Sequence, residues 1–414
     1  MDFFLDTVIF SAFLVEVLVL LYLELKTWDT LYTPLTFLML PYTVVLFITI
    51  CIAGNFAFVD FYYPSILIWL VGLPCFAVPS YILGGILTKY SRRKKSNITT
   101  TAFPKAIVLI ATIVCLLMIY RFRQVLASST AFVGSDDFAE DFSGHGVWAH
   151  IRQLSIPILM LCIYFVNRRR WWLWLFILIL LGVNFINQVK GTIVIAVVAS
   201  LSLRLYSGKT KLSLKLILIT LLGGVALFFI SYMALPLLGK GEGEVTDQLV
   251  EFVFEIFGHY FTSGILGLSE DMKHGFPDEN GFEYIVSPLV NIYNQLSGDD
   301  EILSPVNPVF FYTCHRQTNV RTFFGTLYIY SNCIQFIVYT LFLSTLMYMI
   351  KIFTIKYSNI FIYIIYFYEC ALLAMGWFEF YFFHLAALEI PILSLLLLCF
   401  VSLKLKKEES LWVK

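Results

Sequence analysis

Apolar runs of bilayer length recur along this chain, and no other feature restricts its fold so sharply. A hydrocarbon core about 30 Å thick takes about 20 apolar residues per helical crossing, and only a helix or a closed barrel satisfies its own backbone there. Runs of that kind lie near residues 3–24, 31–54, 61–88, 104–121, 149–167, 171–187, 190–206, 214–236, 324–350, 358–376 and 386–403. They predict an all-α polytopic membrane protein with about 11 transmembrane helices. Composition agrees: 59% of the 414 residues are hydrophobic and 14% are charged, whereas a soluble domain of this length is far more polar. The stretch from Trp171 to Leu205 would run roughly 50 Å as one helix, too long for a single crossing. Asn184, Asn187, Gln188, Lys190 and Gly191 supply a turn in its middle, so two short crossings are expected.

Lys and Arg in short loops set orientation. The basic loops are Tyr90–Ser96, Asn167–Arg170, Ser207–Lys215, Lys351–Lys356 and the tail Lys404–Glu409. With the spans above, all five fall on one side, which makes that side the cytoplasm and leaves the N-terminus outside. The first residues, MDFFLDTVIF, have no basic stretch ahead of them, so they are expected to be the first span rather than a removable signal. The expected location is a bacterial cytoplasmic (inner) membrane, with the C-terminus in the cytoplasm.

Three blocks follow: helices one to eight over residues 1–236, a large periplasmic loop over 237–323, and the last three helices with a cytoplasmic tail over 324–414. The loop is rich in carboxylates but carries apolar and aromatic residues throughout, as in LVEFVFEIFGHYF, so it is expected to fold largely as short amphipathic helices on the membrane surface or over the mouth of the bundle. Formal net charge is zero, which gives no electrostatic case for nucleic acid. Most of the eight cysteines lie in apolar runs and read as small hydrophobes; Cys314 alone looks like a loop residue. No zinc spacing, Walker loop, dinucleotide fingerprint or GxSxG elbow is present. Any chemistry therefore uses a substrate already delivered to the outer face.

External cations are few, so one set against a helix end calls for a reason. Lys190 is at the tip of an apolar hairpin, and Arg321 lies about one helical turn before the ninth span, with His315 and Arg316 beside it. That depth suits a lipid-borne phosphate or diphosphate, held by the planar fork of Arg or the point charge of Lys; snorkelling to phospholipid headgroups is the competing reading. Glu251, Glu255 and His259 recur at every fourth position, which stacks them on one helix face next to Tyr260. A carboxylate holding an imidazole is a usual way to build a general base, and a solvated face of a surface helix is the alternative. Asp299 and Asp300 form an acidic turn, which is ordinarily just hydrated. Arg123 and Arg152 are further external cations. Glu379 and His384 are expected near the outer surface, where they could line the same cavity.

A many-spanned chain with short basic inner loops and a large outer loop in its second half resembles the bacterial oligosaccharide repeat-unit polymerases of the Wzy type and the related O-antigen ligases. Two stretches carry the resemblance in residues. NQVKGTIVIAVVAS (Asn187–Ser200) is similar to the family's basic residue at an outer helix start, with Lys190 where Arg is common. TNVRTFFGTLYIYSN (Thr318–Asn332) is similar to its polar approach to an aromatic-glycine helix start, although IYSN departs from the Asp-x-Gly of many relatives.

The resemblance implies a metal-independent membrane glycosyltransferase without a cofactor. Its donor and acceptor would be glycans on undecaprenyl diphosphate, and its neighbours a flippase and a chain-length regulator. Carried onto this sequence, it implies Arg321, Arg316 and Lys190 for the diphosphate, His315 or His259 as base, and Glu255 as orienter. Tyr260, Arg123, Arg152, Asp299 and Asp300 are the candidate glycan contacts. An O-antigen ligase would share this chemistry. A lipid-linked oligosaccharide flippase would differ in its short external loops and two similar halves.

Overall fold

The computed structural model describes the chain except residues 1–2, 56, 92–97, 99–104, 130–135, 144–145, 187–189, 240–246, 276–280, 300, 305–306, 308 and 413–414, and except the side chains at 3, 87–91, 136, 190, 221, 227, 230–239, 247–253 and 403–412. Helices α1 (Phe3–Trp28), α2 (Pro34–Ile52), α3 (Ile66–Ser91), α4 (Lys105–Ser128), α5 (Asp136–Ser143), α6 (Val147–Phe165), α7 (Leu173–Ile186), α8 (Lys190–Tyr206) and α9 (Leu214–Gly239) come first. They are followed by α10 (Asp247–His274), α11 (Ser287–Ser297), a two-stranded ribbon of β1 (Phe311–Tyr312) and β2 (Gln317–Thr318), α12 (Phe323–Ile329), α13 (Cys333–Tyr357), α14 (Ile360–Ala374) and α15 (Ala386–Trp412).

Among the described residues, six helices are long and apolar enough to cross a membrane: α1, α2, the segment around α3, α4, α6 and α13. The chain is thus an α-helical protein with several membrane-length apolar helices. Five shorter apolar helices stand where the other predicted spans lie. Of these, α7 and α8 have 14 and 17 residues, about 21 and 26 Å at 1.5 Å per residue, less than the hydrocarbon thickness. The expected break between Trp171 and Leu205 is present as two helices, and its turn residues Asn187 and Gln188 lie outside the described residues.

The ninth predicted span is redrawn. Its first residues form the separate short helix α12, and the membrane-length helix begins only at Cys333. Local chemistry explains the break. Asn332 Oδ1 accepts from Gln335 N at 2.9 Å while Asn332 N donates to Gln335 Oε1 at 2.9 Å. This reciprocal cap starts a new helix inside an apolar run. Thr322 caps α12 in turn, its Oγ1 accepting from Gly325 N at 3.2 Å.

The stretch over 237–323 also departs in part from the expectation. Its helix α11 is short, at 11 residues, but α10 is one helix of 28 residues in which Thr262–Asp271 is buried. Two glycines permit this. A Cβ on Gly264 would meet the carbonyl oxygens of Phe378 and Trp377, and one on Gly267 would lie 2.7 Å from Val320 O. Non-helical backbone therefore runs directly against the helix, as only glycine allows.

The chain forms two compact units. The first comprises residues 1–96, 256–356 and 369–388, the second 97–255, 357–368 and 389–414. In the first, Tyr42 stacks on Trp69 with centroids 3.4 Å apart, and Phe324 meets Trp69 edge-on at 4.9 Å. Trp69 Nε1 donates to Thr322 Oγ1 at 3.0 Å, which ties α3 to the start of α12. A polar network joins α1, α3 and α13: buried Glu24 accepts from Ser80 and from Tyr348 at 3.0 Å, and Lys351 donates to Tyr32 O at 2.7 Å. Every charge in it has a partner, as a charge in a membrane bundle requires. In the second unit α6 packs on α4, α7 and α8, and buried Asn184 donates to Ser155 Oγ at 3.2 Å.

Candidate functional site

Within the first unit, the end of α10, the ribbon and the residues before α12 converge on Arg321. Its side chain is fully buried, and it forks onto Asp271 of α10: Nε pairs with Oδ2 and Nη2 donates to Oδ1 at 3.1 Å. Nη1 donates to Val320 O at 2.9 Å, and the guanidinium lies 5.3 Å from the Phe311 ring. Two hydrogen bonds to one carboxylate are the strongest geometry available to this pair. Burial pushes the Asp271 carboxyl above the ordinary carboxylate range, and the Arg321 guanidinium opposes that rise.

Arg321 forms part of the wall of a narrow cleft whose free volume is about 10 Å³, room for about one water molecule. Tyr284, Asn307, Asn319, Tyr330 and Glu379 share that wall. The rings of Tyr284 and Tyr330 are 5.4 Å apart. Asn307 Nδ2 is buried without a hydrogen-bond partner. Glu379 Oε2 lies 3.5 Å from His384 Nε2, so the carboxylate and imidazole expected to line one cavity stand together at its edge. Aromatic faces, side-chain amides and a carboxylate–imidazole pair can bind a polyhydroxylated ligand and move a proton. Among the described residues, no three His, Cys, Asp or Glu side chains converge as metal ligands.

The other sequence candidates divide between the units. His259 is half-buried in the first unit, its Nδ1 3.2 Å from Thr313 Oγ1 and 3.6 Å from Cys314 Sγ, at the turn linking β1 and β2. His315 is exposed on that turn and Arg316 is half-buried, so the structure brings His259, His315 and Arg316 to one hairpin. Burial, with the Arg316 charge adding to it, pushes His259 down to about 4. The partners orienting His259 are thus Thr313 and Cys314, whereas Glu255 Oε1 is buried without a hydrogen-bond partner. Tyr260 stacks on Phe378 with centroids 6.2 Å apart. Asp299 accepts from Glu301 N at 3.0 Å in an exposed turn, the hydrated arrangement its composition suggests; Asp300 lies outside the described residues.

In the second unit, Lys190 is the first residue of α8, with its side chain outside the described set. Arg123 is exposed on α4, and Arg152 is half-buried on α6. Sequence reasoning missed Asp271, Tyr284, Asn307, Asn319 and Tyr330. Asp271 sits in the polar run SEDMKH, which reads as a solvated helix face. The available signal was the glycine spacing just before it, Gly264 and Gly267, which marks a closely packed helix rather than a surface one.

No curated protein and no solved structure matches the chain. The profile of a family of unknown function, DUF6337, matches residues 57–407, which include every element around the cleft, and the chain belongs to that family.

Proposed function

We propose that the protein is a membrane glycosyltransferase that polymerises undecaprenyl-diphosphate-linked oligosaccharide repeat units at the outer face of a bacterial cytoplasmic membrane. In this reading the chain crosses the membrane eleven times, as the apolar runs predict, with its N-terminus outside and a flippase and a chain-length regulator as its partners. The observation that carries the reading is the cleft itself: two tyrosines, two asparagines and a Glu–His pair around a buried Arg–Asp pair. This chemistry suits sugar rings better than a free anion, because the Arg321 fork is already occupied by Asp271.

The reaction joins the growing chain to a hydroxyl of a new repeat unit. The bond between the anomeric carbon and the carrier diphosphate breaks, and the leaving diphosphate keeps the electron pair. The acceptor oxygen forms the new glycosidic bond, and Glu379, steadied by His384, takes its proton. Arg316 on the hairpin supplies positive charge for the departing diphosphate. Arg321 acts as a positioning residue that fixes Asp271 and the wall of the cleft.

The test is a polymer ladder from cells carrying Glu379→Gln at normal protein level. Single repeat units in place of long polymer are expected, a fall of about 10²-fold or more in polymerisation. Loss of all surface glycan would indicate a flippase, and full-length polymer retained on the carrier lipid would indicate a ligase. An unchanged ladder would remove Glu379 from the mechanism.

A further inference from the structure

The second unit carries a cationic shelf that the cleft does not use. Residues 142–241 contain no Asp or Glu. Seven of the cations in that stretch lie close together along the chain: Arg168, Arg169 and Arg170 just after α6, Arg204 in the last turn of α8, Lys209 and Lys211 just after it, and Lys215 at the start of α9. Two of these cations hold the shelf together. Arg204 Nη1 donates to the carbonyls of Ile163, Tyr164 and Val166 at 2.7, 3.2 and 3.1 Å, which caps the end of α6, and its Nε donates to Thr210 Oγ1 at 3.0 Å. The Lys209 ammonium lies 3.4 Å from the Tyr164 ring centroid and 4.5 Å from that of Phe165, with the Arg170 guanidinium 5.6 Å from the same Phe165 ring.

The triple-arginine turn is itself ordered. Asn167 Oδ1 accepts from the backbone N–H groups of Arg169 and Arg170 at 2.9 and 3.0 Å. The side chains of Arg168, Arg169, Lys211 and Lys215 project into solvent. Beside them Trp171, Trp174 and Leu212 are 71%, 52% and 68% exposed. Exposed Trp next to Arg is the composition of headgroup depth. Partial burial, and after it the charges of Arg204 and Arg170, push Lys209 down to about 8. Bound anionic charge would relieve it.

We propose that this shelf is a binding site for the headgroups of anionic phospholipids in the surrounding bilayer. Arg168 and Arg169 offer planar forks to the phosphate, Lys211 and Lys215 add point charge, and Trp171 and Trp174 rest on the acyl boundary. The general bias of basic loops explains the sign of the charge. It does not explain a stretch without carboxylates, or two cations committed to fixing the loop that presents the others.

The experiment uses the full chain in detergent and native mass spectrometry with phosphatidylglycerol and phosphatidylcholine of identical acyl chains. Phosphatidylglycerol should be retained preferentially, and R168Q/R169Q should weaken its retention roughly 20- to 30-fold, about fivefold per cation at a membrane surface. K26Q/K105Q removes the same charge elsewhere and should weaken it no more than about threefold. Equal losses in the two double variants, or equal retention of the two lipids, would overturn the proposal. So would displacement of phosphatidylglycerol by millimolar inorganic phosphate, which would make the ligand a soluble anion rather than a lipid.

Discussion

The Arg321–Asp271 pair offers the sharpest test of how the first unit is held. Its side chains are 0% and 1% exposed, so neither charge has water to fall back on. Removing one partner leaves the other buried and uncompensated, at a cost of about 3–5 kcal/mol, or about two to four powers of ten in the unfolding equilibrium. Replacing both by apolar residues of similar volume removes the desolvation penalty with the attraction, so Asp271→Leu with Arg321→Met should return to within about 2 kcal/mol of wild type. The assay is fraction folded against mole fraction of dodecyl sulfate in mixed micelles, for wild type, both single variants and the double. The singles should be severely destabilised and the double largely restored. A double variant as damaged as the sum of its singles would refute the argument, as would Arg321→Met matching wild type.

Three further outcomes follow, two from the same unit and one from α7 of the second. The His259 pKa is depressed from 6.5 to about 4, so the stabilisation from its neutral form is complete above pH 6.5 and is lost as pH falls through 4. The shift corresponds to roughly 3 kcal/mol at the limit and about 1–2 kcal/mol once solvent reaching the half-buried ring is allowed for; His259→Gln should flatten the stability profile between those pH values, and an unchanged slope would contradict the placement. Gly264→Ala sets a Cβ within 2.6 Å of the Trp377 carbonyl oxygen and should destabilise by about 1–3 kcal/mol. Gly182→Ala, with nothing within 4 Å, should be neutral or gain up to about 1 kcal/mol in the same micelle titration.

The cleft was only partly legible in the residues. Arg321, Arg316, His315 and His259 stand out because cations and imidazoles are scarce on the side expected to face outward, and they do gather around the ribbon and the start of α12. Glu379 and His384 were legible as a pair for the same reason. Asp271 was not, because a carboxylate in an acidic segment looks solvated until the partner that buries it is known. Tyr284 and Asn307 were hidden by distance along the chain, and Asn319, two residues from Arg321, was passed over because nothing local distinguishes it from other loop residues.

Sequence by itself determined the class of molecule: apolar runs of bilayer length can satisfy their backbone only as helices, and no packing detail alters that. The helix starts at Thr322 and Asn332 also rest on capping residues three positions apart, a local signal that the single span expected over 324–350 passed over. Tertiary structure alone decided that Thr262–Asp271 of α10 is buried and that Arg321 faces Asp271 across fifty residues of sequence. The physical reason is that burial and ion pairing belong to the environment a side chain enters. That environment is assembled from segments whose proximity no local pattern encodes.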